Sequence, residues 1–187
     1  MPTANAPAMP LLPASPLPAH VIADLRTDHA GEVGAVCIYR GVLLFARDPS
    51  LRAFAQHHLA TEHVHLQRID AWLPPAQRSR LLPMWRLAGF LTGAVPALLG
   101  PRAVYATIAA VETFVDHHYG KQVDTWATQA EFSALRQVLL DCQRDEVAHR
   151  DEAAAALGAG RPGMAVRAWC ALVGAGSRAA VAVCRHV

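Results

Sequence analysis

Charge is scarce in this sequence, and what there is nearly cancels. Of 187 residues only 17% are charged, and the formal net charge is +2. So mild a balance is not the footprint of a nucleic-acid-binding protein. Lysine is almost missing: sixteen of the seventeen basic residues are arginine, and the exception is Lys121. With the abundant alanine, that reads as a genome composition bias before anything functional. The four cysteines, Cys37, Cys142, Cys170 and Cys184, stand alone, with no C-x-x-C spacing. A zinc ribbon, a rubredoxin-type iron site and a thioredoxin-like motif are therefore unsupported. Isolated cysteines in apolar surroundings act as small buried hydrophobes, and a reducing compartment fits. Residues 1–20 contain neither Lys nor Arg, while six of the thirteen prolines lie between positions 2 and 18. A secretory signal and a mitochondrial presequence both need basic residues, so neither is expected. This stretch reads as a disordered Pro/Ala-rich tail before one domain over 21–187. Strand-like runs are almost absent too.

What remains is rich in helix formers. A 53% hydrophobic content leaves ample surface to bury, which excludes disorder as the overall class, and 187 residues suit one domain. Long proline-free stretches of Ala, Leu, Arg and Gln favour helix. Helices are expected over 21–47, ending before Asp48-Pro49, and over 49–72, stopping at Pro74-Pro75. An apolar block follows at 81–100. Another helix starts near Pro101, a good first-turn residue, and runs to 128. A fourth covers 130–157 and ends at the Gly158–Gly160 turn, and a last begins after Pro162. The chain reads as all-α, with four long helices and two additional apolar segments. Glu32 is followed seven residues later by Tyr39, and Glu112 seven residues later by Tyr119. Seven residues are nearly two helical turns, so each Glu–Tyr pair shares a face. Each of these helices precedes one carrying Glu-x-x-His. The pattern is two helical hairpins joined by a long crossover at 72–101.

Only six glutamates occur: Glu32, Glu62, Glu112, Glu131, Glu146 and Glu152. Two have a histidine three residues on, as Glu62-His65 and Glu146-His149. Residues i and i+3 of a helix project together, so each pair can bind one metal. Glu32 and Glu112 sit alone in apolar helical runs, with no Lys or Arg one turn away. A buried carboxylate must be neutralised, paired or metal-bound. The total is one Glu from each of two helices and one Glu-x-x-His from each of the other two. This is the ligand pattern of di-iron and di-manganese carboxylate bundles. Oxygen ligands with one imidazole per metal suit iron or manganese better than zinc.

The stretch Leu25-Arg26-Thr27-Asp28-His29-Ala30-Gly31-Glu32-Val33-Gly34-Ala35 resembles the opening signature of the demethoxyubiquinone hydroxylases of ubiquinone biosynthesis. Val111-Glu112 with His117-His118-Tyr119, and Arg144-Asp145-Glu146 with His149-Arg150-Asp151, resemble that family's later motifs. So does the apolar segment from Leu82-Pro83-Met84-Trp85 to Ala97-Leu98-Leu99-Gly100. The resemblance covers about 21–187. It departs at Cys37, where the family carries a longer, often basic residue, and at Asp116, where it has no fixed acid. The resemblance implies a ferritin-like four-helix di-metal bundle with two Fe2+ ions held by Glu32, Glu62, His65, Glu112, Glu146 and His149. It implies a monooxygenase that uses O2 to hydroxylate the ring of a polyprenyl benzoquinol, with NADH or the quinol as reductant. His118 and Tyr119 match family positions near the site and are the candidate catalytic residues.

Other readings stand beside these. Tyr119 either contacts substrate or gates electrons, or is a buried tyrosine satisfied by a carboxylate. Asp28 and Asp145, each one turn before a motif residue, are candidate acceptors for a ligand histidine N–H, or plain surface acids. His57, His58, His63 and His117 flank the motifs and read mostly as solvated or structural. Gly158-Ala159-Gly160-Arg161-Pro162-Gly163 matches G-x-G-x-x-G, but it follows a helix and carries proline, so it is no dinucleotide fingerprint. The fifteen uncharged residues from Leu87 to Pro101 are short of the ~20 a spanning helix needs. They should lie in a membrane interface, and Gly89 and Gly93 form a G-x-x-x-G sign of close packing. Arg167, Arg178 and Arg185 fall on one face of the last helix, a cationic stripe suited to anionic lipid. The expected partners are a lipid-soluble quinol, a membrane surface, and a second copy or a substrate-presenting protein; the expected location is the cytoplasmic face of a bacterial membrane. The competing readings are a ferritin-like iron oxidase or peroxidase and a metal-free helical scaffold.

Overall fold

The computed structural model describes residues 16–187. The expected tail falls largely outside them. Among the described residues there are six α-helices and no strand: α1 (Ala19–Phe45), α2 (Pro49–Asp70), α3 (Leu82–Leu99), α4 (Pro101–Thr125), α5 (Ser133–Leu157) and α6 (Met164–Cys184). Single 3-10 turns lie at Pro75–Gln77 and Ala130–Phe132. The all-α expectation holds, and the boundaries follow the punctuation in the sequence. Proline at 49 disfavours helix in the residue before it, and Asp48 is extended with ψ 125°. Its carboxylate then caps α2 by accepting from the Leu51 N–H at 2.8 Å. Gly100 (φ 105°) turns the chain between α3 and Pro101, and Gly158 (φ 71°) ends α5. Arg102 ties down the loop after α5, donating to the carbonyls of Leu157 (2.9 Å) and Gly160 (2.8 Å).

Helices α1, α2, α4 and α5 form the bundle. Two apolar clusters fill it, one around Tyr39, Leu51, Phe54, Tyr105 and Ile108, the other around Leu25, Ile69, Trp126, Leu135 and Leu139. Along each of the four helices the Glu and His motif residues lie between a stretch that enters one cluster and a stretch that enters the other. The polar centre is thus sealed by hydrophobic packing at both ends.

The crossover is not a connecting loop: most of it is α3, which lies along α1. Its G-x-x-x-G face makes that approach possible. A Cβ on Gly89 would meet the Gly34 carbonyl oxygen, one on Gly93 the Ile38 carbonyl oxygen, and one on Gly41 of α1 the Phe90 carbonyl oxygen. The opposite face of α3 leaves Met84, Leu87, Leu91, Leu98 and Leu99 exposed. Helix α6 packs on α4 and α1 but buries almost nothing of itself, and Met164, Leu172 and Val183 face outward. The expected cationic stripe on α6 needs correcting. Arg167 and Arg178 are exposed, but Arg185 pairs with Asp24, and its carbonyl accepts from Arg26 at 3.2 Å.

Candidate metal centre

The four bundle helices bring all six motif residues to one place, and none of them is more than 3% exposed. Ligand atoms of Glu32, Glu62, His65 and Glu146 lie within 4.8 Å of one another, and so do those of Glu62, Glu112, Glu146 and His149. The two sets share Glu62 and Glu146. Each comprises three carboxylates and one imidazole, so the geometry offers two adjacent cation positions with two common carboxylates. His65 Nδ1 lies 3.0 Å from Glu146 and 3.7 Å from both Glu32 and Glu62. His149 Nδ1 lies 3.2 Å from Glu62 and 3.5 Å from Glu146.

Four carboxylates cannot all be ionised in a dry interior without positive charge beside them. Burial pushes the Glu32 and Glu112 carboxyls well above the usual range, and neighbouring carboxylates add to the push. Burial alone would hold the two imidazoles neutral, but the Glu146 and Glu62 carboxylates beside them outweigh it and raise both. Glu146 is held low against its own burial by the same two histidines. Five ligand-type atoms still lack hydrogen-bond partners: Glu32 Oε2, both Glu62 oxygens, Glu146 Oε2 and His149 Nδ1. Buried polar atoms are rarely left so. Orphaned oxygens converging on two points fit a pair of hard divalent cations.

The surrounding groups hold the cluster in place. The Tyr39 hydroxyl donates to Glu112 at 3.2 Å, and the Tyr119 hydroxyl donates to Glu32. The sequence repeat pairs each tyrosine with the glutamate on its own helix; the structure exchanges the partners across the α1–α4 seam. Burial raises both phenols, with Glu112 and Glu32 adding to the shift, so each remains a donor. Both tyrosines are thus buried and paired with a carboxylate, and Tyr39, to which the sequence reading gave no role, is held as Tyr119 is. The signal for it was the repeat itself. Asp145 accepts from His65 Nε2 at 3.1 Å, across helices rather than along its own. Asp28 serves neither His65 nor His149: it accepts from Gln122 (2.8 Å) and faces His118 Nε2 (3.0 Å). His118 also meets Thr27 Oγ1 at 3.0 Å and stands outside the two ligand sets. Asp116 joins α4 to α5 through Arg150 (2.7 Å) and Gln143 (2.9 Å). All four cysteines are free.

A family profile described as ubiquinone biosynthesis protein COQ7 matches residues 19–184. A relative from Rhodospirillum rubrum, named 3-demethoxyubiquinol 3-hydroxylase, is 39% identical over 144 residues, 75% of this chain and 67% of its own. One of the same name from Ralstonia pickettii is 34% identical over 151 residues, 76% of this chain and 66% of its own. One from Rattus norvegicus, named NADPH-dependent 3-demethoxyubiquinone 3-hydroxylase, mitochondrial, is 35% identical over 132 residues, 68% of this chain and 60% of its own. The chain thus spans about two thirds or less of the length of these relatives. The resemblance read from the motifs is borne out.

Proposed function

The chain belongs to the family of the ubiquinone biosynthesis protein COQ7, and from that premise we propose that it is a di-iron monooxygenase that hydroxylates the ring of a demethoxyubiquinol. The observation that carries the reading is the pair of four-ligand sets sharing Glu62 and Glu146. Glu32, Glu62, Glu112 and Glu146 would hold two iron ions with His65 and His149, one imidazole to each. When bound, two Fe2+ ions supply the redox chemistry with O2 that ring hydroxylation requires.

The remaining work falls to this chain's own residues. Tyr39 and Tyr119 each hold one carboxylate by a hydroxyl proton, which fixes the orientation of Glu112 and Glu32. Asp145 holds His65 by its outer nitrogen and so turns Nδ1 inward. The apolar clusters at either end exclude bulk water, which strengthens every electrostatic contact between them. The oxygen atom that does not enter the ring leaves as water, and a reduced nicotinamide is the reductant we assign. The rat relative's name specifies NADPH where the motif reading named NADH.

The substrate is lipid-soluble, and the outward faces of α3 and α6 support an approach from a membrane surface. Both helices are apolar and long enough to cross a membrane by length and composition. One face of α3 is nevertheless committed to α1, so we assign it to the interface. The oxidase or peroxidase reading gives these two faces no purpose.

The test is turnover by the purified full chain with ferrous iron, O2, a reduced nicotinamide and a short-chain demethoxyubiquinol. The parent is expected to form the hydroxylated quinol; Glu112→Ala and His149→Ala are expected to lose both iron and product. Hydroxylation retained by either variant would reject the assignment.

A further inference from the structure

Where α2 meets α5 at the surface, His57, His58 and Glu152 each bring one ligand-type atom to within 4.8 Å of the others. None of them belongs to the six-residue centre. His58 is the anchor, at 1% exposure. Its ring is wedged against Phe54 at 4.2 Å, His149 at 4.1 Å and Tyr39 at 5.8 Å. Neither of its nitrogens has a hydrogen-bond partner. A buried imidazole in that position loses the hydrogen bonds water would give it, and such a loss needs a compensating partner. Nε2 lies 3.0 Å from Glu152 Oε2, within contact but out of line for a hydrogen bond. That is close to the roughly 3.3 Å between neighbouring ligands on a tetrahedral cation with bonds of about 2.0 Å. His57 and Glu152 are exposed and line an open groove of about 480 Å³ together with Ser50, Phe54 and Tyr105. A cation can therefore arrive from solvent, and both side chains can turn to complete the set.

We propose that His57, His58 and Glu152 form a third metal site, separate from the carboxylate centre, for a borderline divalent cation of which Zn2+ is the best fit. The donor chemistry separates the two sites. The centre offers three carboxylates with each imidazole, which suits hard cations. The groove offers two imidazoles with one carboxylate and leaves a fourth position to water, the arrangement of open zinc sites. Because His58 packs on His149, one ring contact separates the third site from the bundle centre.

The test is Zn2+ binding to the full chain by competition with a chromophoric chelator, comparing the parent with His57→Gln and Glu152→Gln. Both positions are exposed, so the variants should keep the helical circular dichroism of the parent. Each is expected to lose one equivalent of Zn2+, or to bind it at least about tenfold more weakly. Glu112→Ala is expected to keep that equivalent. Equal stoichiometry and affinity in the parent and both variants would overturn the proposal and leave His58 and Glu152 as a plain polar contact. If the six-residue reading failed instead, the total would fall, but the difference of one equivalent between parent and variants would survive.

Discussion

One carboxylate outside the cluster decides how His65 presents itself to it. Asp145 is 43% exposed, yet its Oδ2 sits 3.1 Å from the buried Nε2 of His65. With that nitrogen committed as donor, Nδ1 is the one turned towards Glu146. Removing the carboxylate charge while keeping the shape should loosen both tautomer and ring orientation. Asp145→Asn is therefore expected to weaken iron binding by about 10–100-fold with the helical fold unchanged. Chelator competition on the parent and the variant measures this, and equal affinities would refute it. The sequence offers Asp145 as an acceptor for a ligand histidine without naming which, and the structure makes it His65. A carboxylate at a helix–helix seam reaches the facing helix more easily than its own. The exchange of Tyr39 and Tyr119 between Glu112 and Glu32 has the same cause. Residue type and spacing picked out these groups, and only the packed seam assigned their partners.

At the scale of elements, the contact between α1 and α3 depends on what is missing from it. Backbone meets backbone there, and Gly93 has the Ile38 carbonyl oxygen where a Cβ would go. Gly93→Ala must push the helices apart along their length, and overpacking of this kind costs about 1–3 kcal/mol. Gly176, in exposed α6 with open space where a Cβ would go, is the control. Gly176→Ala should stabilise by about 0.5–1 kcal/mol, because glycine in a helix interior is itself unfavourable. Urea denaturation of the two variants should shift in opposite directions; a neutral or stabilising Gly93→Ala would contradict the close packing. The helices were legible from proline, glycine and aspartate punctuation, because those residues act on the local backbone. That the crossover folds as a helix along α1 was visible only as a G-x-x-x-G, which says close packing without saying against what.

Taken whole, the molecule has a sealed interior and an unsealed flank. The outward faces of α3 and α6 carry Met84, Leu87, Leu91, Leu98, Leu99 and Leu172. An exposed apolar helix face of this kind marks a contact with lipid or protein. Lipid is the reading that agrees with a lipid-soluble substrate and with exposed Arg167 and Arg178. Each arginine near an anionic surface contributes about 1 kcal/mol, roughly fivefold in partition. Arg167→Glu with Arg178→Glu should weaken co-flotation with anionic vesicles by at least about 25-fold on that figure, and added salt should weaken the parent likewise. Arg185 is a different case: held by Asp24, it anchors the end of α6 to α1, so its loss should lower stability before lipid binding. Flotation unchanged by the double substitution would remove the electrostatic part of this reading.

Sequence alone determined the helical class, the places where helices stop, the six candidate ligands and the family. Each of these rests on local preference or on residue types at fixed spacing, and both are written along one chain. Tertiary structure decided which carboxylates are common to both ligand sets and which tyrosine serves which glutamate. It also set Asp145 on His65, took Arg185 out of the cationic stripe and brought Glu152 to His58. Those contacts join residues far apart in the chain, and their partners are chosen by how the helices rotate and settle to bury their apolar faces, a collective result that no single segment encodes.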